Sequence, residues 1–239
     1  MHLTDVTVHS DRFPTNERFP FNIPLFADNP TLRFRRQVVF FVGENGSGKT
    51  TLLEAITRKC DIHMWHTPPR RHKVHDNPHE ARLHEYISVG WADGKVSGAI
   101  FRAETFHHFA EFIDDVAASD PGQLKYYGGA VFNTLSHGQG ILAYLRGRFK
   151  IPGLYLLDEP EAALSPRSQV DFLRVLRAFE AQGHAQFIIA THSPILLAHS
   201  GAQILSFDGP RVAEIAYEET AHYRLYKAFL ADPAAFLDA

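Results

Sequence analysis

An α/β fold with a central, mainly parallel sheet is predicted by three observations on this 239-residue sequence. The run Val38-Val39-Phe40-Phe41-Val42 is continuously apolar, the pattern of a strand buried on both faces. A second run of the same kind, Leu154-Tyr155-Leu156-Leu157, lies in a C-terminal part where strand-like and helix-like stretches alternate. Between the first run and its following helix stands a Gly-rich turn, the connection typical of a ligand-binding strand–loop–helix unit.

In chain order, residues 3–8 read as a short strand, followed by an irregular, Pro-punctuated stretch to Pro30. Residues 31–36 alternate, the buried strand 38–42 follows, and a helix is expected from Thr50 to about Lys59. Periodicity is lost between Cys60 and Glu85, where Pro, Arg and His accumulate, so an irregular His-rich insertion is expected at about residues 60–85. Strand-like segments 85–89 and 99–102 flank a turn at Ala92-Asp93-Gly94, and residues 106–118 carry helical apolar spacing through Phe109, Phe112, Ile113 and Val116. Together these are expected to make a second lobe, with an inserted helical part at about residues 103–135. From Ser136 a helix runs to about Phe149, then a strand at 154–157, a helix to about Ala181 and a strand at 187–190. Ser165 as N-cap, Pro166 in the first turn and Gly183 beyond the end delimit that second helix. A hairpin about Asp208-Gly209 and a last helix after Thr220 complete a single domain, residues 1–239, without internal repeat.

Composition narrows the function classes. Lys and Arg total 24 against 27 Asp and Glu, and a net charge of −3 supplies no global field for holding DNA, RNA or an anionic membrane. A single cysteine, Cys60, excludes an internal disulfide framework. The first residues carry no basic-then-apolar export signal, so a cytoplasmic location is expected. No apolar stretch approaches the roughly 20 residues of a membrane-spanning helix, and a membrane role would require a separate spanning partner.

Gly43-Glu44-Asn45-Gly46-Ser47-Gly48-Lys49-Thr50 matches G-x-x-x-x-G-K-[ST] between a buried strand and a helix, the context that the motif's chemistry requires. Glycines let the backbone wrap a phosphate chain so that N–H groups and the positive helix end face its oxygens. Lys49 then bridges the β- and γ-phosphates of ATP, Thr50 offers a hydroxyl to Mg²⁺, and Thr51 stands toward the α-phosphate. The second buried strand ends in Asp158 and Glu159, at the carboxyl end of a sheet where open α/β folds bind ligands. Asp158 is expected to hold the Mg²⁺ shell, and Glu159, turned differently, to accept the proton of attacking water.

With Leu135-Ser136-His137-Gly138-Gln139 before the acidic pair and Thr191-His192-Ser193 after it, the order of motifs resembles the ABC-type ATPases of the P-loop NTPase fold. The elements correspond to that family's Walker A, signature, Walker B and switch histidine, from about Val38 to Phe207. The resemblance implies a homodimer in which each ATP lies between Walker A of one subunit and the signature of the other, with Ser136, Gly138 and Gln139 facing the γ-phosphate and His192 beside it. Leu157 to Pro166 and Thr191 to Leu197 look most like small stand-alone ATPases distantly related to the SMC and RecF group. DNA or a protein is then the expected effector, the alternative being the ATP-binding subunit of a membrane transporter.

The sequence departs from the family pattern at several points. His137 replaces a usual glycine, Ser165 stands where transporter cassettes commonly have Asp, and the usual loop glutamine is missing, with Glu104 as the substitute candidate. For adenine stacking Phe13, Phe19 and Phe21 are considered and none is assigned. His63, His66, His72, His75, His79 and His84, with Cys60, lack the paired spacing of a zinc site and read as a solvated, partly basic loop. The short basic run Arg70 to Lys73 reads as a solvated face rather than a nucleic-acid contact.

Overall fold

The structure, a computed structural model, describes residues 1–64, 77–120, 122, 124–125, 129 and 131–237. Its centre is a six-stranded sheet ordered β5-β6-β7-β3-β8-β9, where β3 is Val38–Val42, β5 Gly98–Arg102, β6 Gly153–Asp158, β7 Ala185–Ala190, β8 Gln203–Ser206 and β9 Ala213–Glu214. All pairings are parallel except β8 with β9, which close the hairpin expected about Asp208-Gly209.

Strands β3, β6, β7 and β8 are buried throughout, β3 as an unbroken apolar run and β7 and β8 with the polar residues Gln186, Gln203 and Ser206 enclosed among apolar ones. Successive side chains alternate between two cores. Val38, Phe40, Tyr155, Leu157, Phe187 and Ile189 pack with helices α2 (Phe106–Ser119), α3 (His137–Arg148), α4 (Pro166–Glu180) and the short α5 (Pro194–Leu197). Val39, Phe41, Leu154, Leu156 and Ile188 face the other way, onto α1 (Lys49–Lys59) and a second sheet.

That second sheet is antiparallel, ordered β2-β1-β4, with β1 Leu3–Val8, β2 Thr31–Arg33 and β4 Ile87–Trp91. Buried Gln186 fastens it to the main sheet: its Oε1 accepts from His2 N (2.8 Å) and Leu3 N (2.7 Å), and its Nε2 donates to Leu3 O (2.9 Å). Every polar atom of this amide is thus satisfied, which makes its burial tolerable.

The segments read as 85–89 and 99–102 do not form one lobe about the 92–94 turn. Residues Leu83–Tyr86 are a 3₁₀ turn, β4 pairs with β1, and β5 pairs with β6 in the central sheet. Strand partners are chosen by distant segments, which local periodicity does not encode. The helix boundaries were closer. Ser165 Oγ accepts from Ser168 N (3.2 Å) at the start of α4, Pro166 opens that helix, and Gly183 beyond its end has φ +74°. The last helices, α6 (Ala221–Ala231) and α7 (Ala234–Leu237), follow Thr220 and bury no residue. Among the described residues no helix is long and apolar enough to cross a membrane.

Candidate nucleotide-binding site

The Gly-rich turn leaves β3 at Val42 and enters α1 at Lys49. Gly43 has φ +153°, and a Cβ there would stand 3.0 Å from both Asp208 Oδ1 and Phe207 Cβ. Gly46, at φ +81°, meets no neighbour, so its need for glycine is conformational alone. Lys49, 4% exposed, folds over the loop and donates from Nζ to Gly43 O (2.6 Å) and Glu44 O (2.9 Å). Burial pulls its pKa below the ordinary lysine value, against the opposing charges of Glu159, Asp208 and Asp158. Asp208, at the β8 end, accepts from Glu44 N at 2.7 Å; its place at the loop mouth was not foreseen from the sequence.

The two halves of the predicted site meet in one bond. Thr50 Oγ1 donates to Asp158 Oδ1 at 2.9 Å, joining the first turn of α1 to the end of β6. Both are hard oxygen donors, the type Mg²⁺ prefers, so the residues present fit that ion. Burial pushes the Asp158 carboxyl up to about 6, despite the Thr50 hydrogen bond and the Arg102 charge, which act the other way. Glu159 follows in the left-handed region, φ 47° and ψ 53°, with its N–H held by Ala190 O at 2.9 Å. This backbone is unfavourable for glutamate by on the order of 1 kcal/mol, and it leaves the Glu159 side chain 45% exposed beside buried Asp158. The two adjacent acids thus stand in different surroundings, Asp158 buried and Glu159 about half exposed. Thr50, Asp158 and Glu159 line a cleft of about 390 Å³ together with Arg102, Ala103, Glu104, Ala162 and Ala163.

The raised Asp158 pKa carries a sign that can be tested. A folded-state carboxyl that titrates near 6, against 3.8 for a free aspartate, loses stability as pH rises through that interval. In EDTA at pH 8, Asp158→Asn is expected to be more stable than the parent by on the order of 1–3 kcal/mol, a gap that closes toward pH 4. Urea melts at both pH values read this directly; a parent equal to or stabler than Asp158→Asn at pH 8 contradicts it.

His192, beyond β7, reaches the same neighbourhood. Its Nε2 lies 3.6 Å from Glu159 Oε1, and its Nδ1 shares a 3.0 Å hydrogen bond with Nε2 of His222 on α6. Its backbone N–H donates to Glu161 Oε1 at 2.6 Å. Burial first, then the charges of Lys49 and His222, lowers the His192 pKa, which favours the neutral imidazole. The carboxyl of Glu161 is pushed up by burial. Neither His222 nor Glu161 was singled out from the sequence, because their partners are brought to them by the fold.

The signature residues are placed differently. Ser136 N-caps α3 in a capping box: its Oγ accepts from Gln139 N (3.4 Å) and its N–H donates to Gln139 Oε1 (3.1 Å). Ser136 and Gln139 are exposed, and a Cβ on Gly138 would face Ser168 in the first turn of α4 and Ala163 in the 3₁₀ turn before it. These contacts are within α3 and to the segment from Ala163 to Ser168, not to the phosphate loop of the same chain. Glu104 lies at the mouth of the cleft, with a side chain 70% exposed and 3.3 Å from Arg102. Thr51 borders a second cleft of about 160 Å³, which it shares with Phe19. Phe19 is 42% exposed, whereas Phe21 is buried and packed on Phe13 and Tyr86. Of the His-rich stretch, His66, His72, His75 and the run Arg70 to Lys73 lie outside the described residues. His79 packs edge-on to Phe21, and His84 bonds Ala81 O at 2.8 Å. Among the described residues no group of three or more His, Cys, Asp or Glu is arranged to hold a metal.

Fold and site together define a P-loop nucleotide-binding protein. The family model described as "AAA domain, putative AbiEii toxin, Type IV TA system" matches residues 139–198, and another described as "AAA domain" matches residues 21–60. The zinc import ATP-binding protein ZnuC 2 of Aliivibrio fischeri is 25% identical over 205 residues, covering 81% of this chain and 76% of that protein. The spermidine/putrescine import ATP-binding protein PotA of Nitrosomonas europaea is 26% identical over 208 residues, 80% of this chain and 55% of that protein. Among solved structures, the SMC head domain from Thermotoga maritima superposes with a TM-score of 0.51 at 16% identity, covering 90% of this chain and 99% of that one. A nucleotide-free ATP-binding cassette from an ABC transporter gives 0.54 at 16% identity, covering 98% and 96%. By fold and by the order of its motifs the chain is similar to the ABC-type P-loop ATPases.

Proposed function

We propose that this protein binds ATP and hydrolyses it in a Mg²⁺-dependent reaction, with two copies closing around the nucleotides. The observation that carries the reading is the Thr50 to Asp158 hydrogen bond, 2.9 Å, which unites the phosphate loop and the acidic strand end beside Glu159. In this reading loop N–H groups from Gly43 to Gly48 and the Lys49 ammonium hold the phosphates. Thr51 contributes on the α-phosphate side. Thr50 and Asp158 would hold Mg²⁺, which when bound neutralises phosphate charge. Glu159, its side chain 45% exposed to the cleft, takes the proton of the attacking water, and neutral His192 orients it.

Exposure of Ser136 and Gln139, with Gly138 beside them, supports a role for this terminus toward a second copy. The N-terminus of α3 offers N–H groups and a positive helix end to a γ-phosphate held by the partner. The segment at about residues 103–135 would carry that terminus as an inserted lobe.

For the work that closure performs, the preferred reading is a stand-alone cytoplasmic ATPase acting on DNA or on a protein partner. The family match described as a putative AbiEii toxin and the likeness to an SMC head support it. The second reading, an ATP-binding subunit of a transporter, is supported by the likeness to ZnuC 2 and PotA. DNA-stimulated turnover favours the first, and co-purification with a membrane-spanning protein the second.

Phosphate release from ATP, measured with Mg²⁺ and with EDTA, tests the core of the proposal. Turnover is expected only with Mg²⁺, and Lys49→Ala is expected to lower it by at least about 10²-fold through loss of the phosphate-bridging charge. Equal release by parent and Lys49→Ala would reject the site.

A further inference from the structure

Arg102 ends β5 directly opposite Asp158 in the β5–β6 register. Its side chain is 17% exposed and stands among three carboxylates. Nη2 lies 2.7 Å from Glu54 Oε1 and 3.3 Å from Glu104 Oε1, while Nε is 3.6 Å from Asp158 Oδ2. That Nε is buried and has no hydrogen-bond partner among the described residues. The tight contact is thus to Glu54, and the contact to Asp158 is electrostatic without a hydrogen bond. Glu54 is four residues beyond Thr50 on α1, so both face the strand ends.

A guanidinium does not deprotonate in proteins, so Arg102 is a permanent positive charge on the wall of the cleft that Thr50 and Asp158 share. A divalent cation and this guanidinium draw on the same Asp158 carboxylate and repel one another across the cleft. We propose that Arg102 is a positioning residue, an internal counter-cation that competes with Mg²⁺ for Asp158 and is drawn off it by Glu54. The exchange sets the Mg²⁺ concentration at which nucleotide is retained. Oxygen Oδ1 of Asp158 stays with Thr50 on the cleft side, and Oδ2 is the one contested. The exposed Glu104 is a weaker, solvent-screened holder of the same charge. This inference rests on the proposed function, since it concerns Mg²⁺ and ATP at that site.

The test measures ATP affinity across a series of free Mg²⁺ concentrations at pH 8, in a Glu159→Gln background so that binding is read without turnover. Arg102→Gln is expected to lower the half-saturating Mg²⁺ about tenfold, and Arg102→Lys, which keeps the charge, to stay within about threefold of the parent. Glu54→Gln leaves the guanidinium to Asp158 and is expected to raise the Mg²⁺ requirement by a similar factor. A purely structural role for Arg102 would weaken folding in both variants without these opposite shifts. An unchanged or higher requirement in Arg102→Gln overturns the proposal, as does an unchanged Glu54→Gln if Arg102→Gln does not fold. Failure of the background protein itself to bind ATP at any Mg²⁺ concentration would instead overturn the proposed function, and this inference with it.

Discussion

Glu159→Gln is expected to lower ATP turnover by about 10²–10⁴-fold while leaving Mg-ATP binding close to that of the parent. The change removes only the proton acceptor. Lys49 over the phosphate loop and the Thr50 to Asp158 bond are untouched, and the amide is close in volume to the carboxylate. Glu159's left-handed backbone turns its side chain to the cleft and toward His192 Nε2, 3.6 Å away, whereas Asp158 next to it is buried against Thr50 and Arg102. Two adjacent acids thus have separate environments, and removing the exposed one should separate binding from chemistry. Single-turnover phosphate release beside equilibrium ATP binding measures both. A fall smaller than about tenfold would shift the base to another group, with His192 the nearest.

The second large effect concerns two chains at once. Lys49→Ala and Ser136→Arg are each expected to be nearly inactive alone, yet a mixture should regain turnover as heterodimers form one intact site. A random one-to-one mixture makes about half its dimers mixed, so recovery should reach roughly a quarter of the parent rate if the two sites work independently. The structural basis is the placement of Ser136: exposed, capping α3, and bonded to Gln139 rather than to the phosphate loop of its own chain. Arginine there adds bulk and also removes the N-cap, so the melting temperature of Ser136→Arg should be checked beside its activity. No recovery at any mixing ratio would argue that each chain completes its own site.

Much of this site was legible because its determinants are local. The glycines of the phosphate loop are fixed by backbone angles, and the buried strands announce themselves as unbroken apolar runs that need no alternation. Ser165 and Pro166 mark a helix start through bonds within a single turn. What escaped was decided by distant pairing. β4 and β5 flank a turn and read as parts of one lobe in sequence, yet each is recruited by a different sheet through β1 and β6. Arg102 reads as an unremarkable strand end until the register sets it against Asp158 and α1 brings Glu54 to it. His222 lies on a helix that buries none of its residues, and its one informative contact, with His192, spans 30 positions. Glu104, sought as a replacement for a missing glutamine, does border the cleft, but it pairs with Arg102. Charge partners across a sheet end leave no periodic trace, so only the folded arrangement reveals them.

In the proposed mechanism ATP is gripped between two copies of this chain. Size-exclusion chromatography with light scattering on Glu159→Gln, with and without Mg-ATP, tests it most directly, because slowed turnover preserves the bound state. A shift from about 27 kDa toward twice that mass is expected when Mg-ATP is added, abolished by Lys49→Ala in the same background. A protein that stays monomeric while saturated with ATP would contradict it.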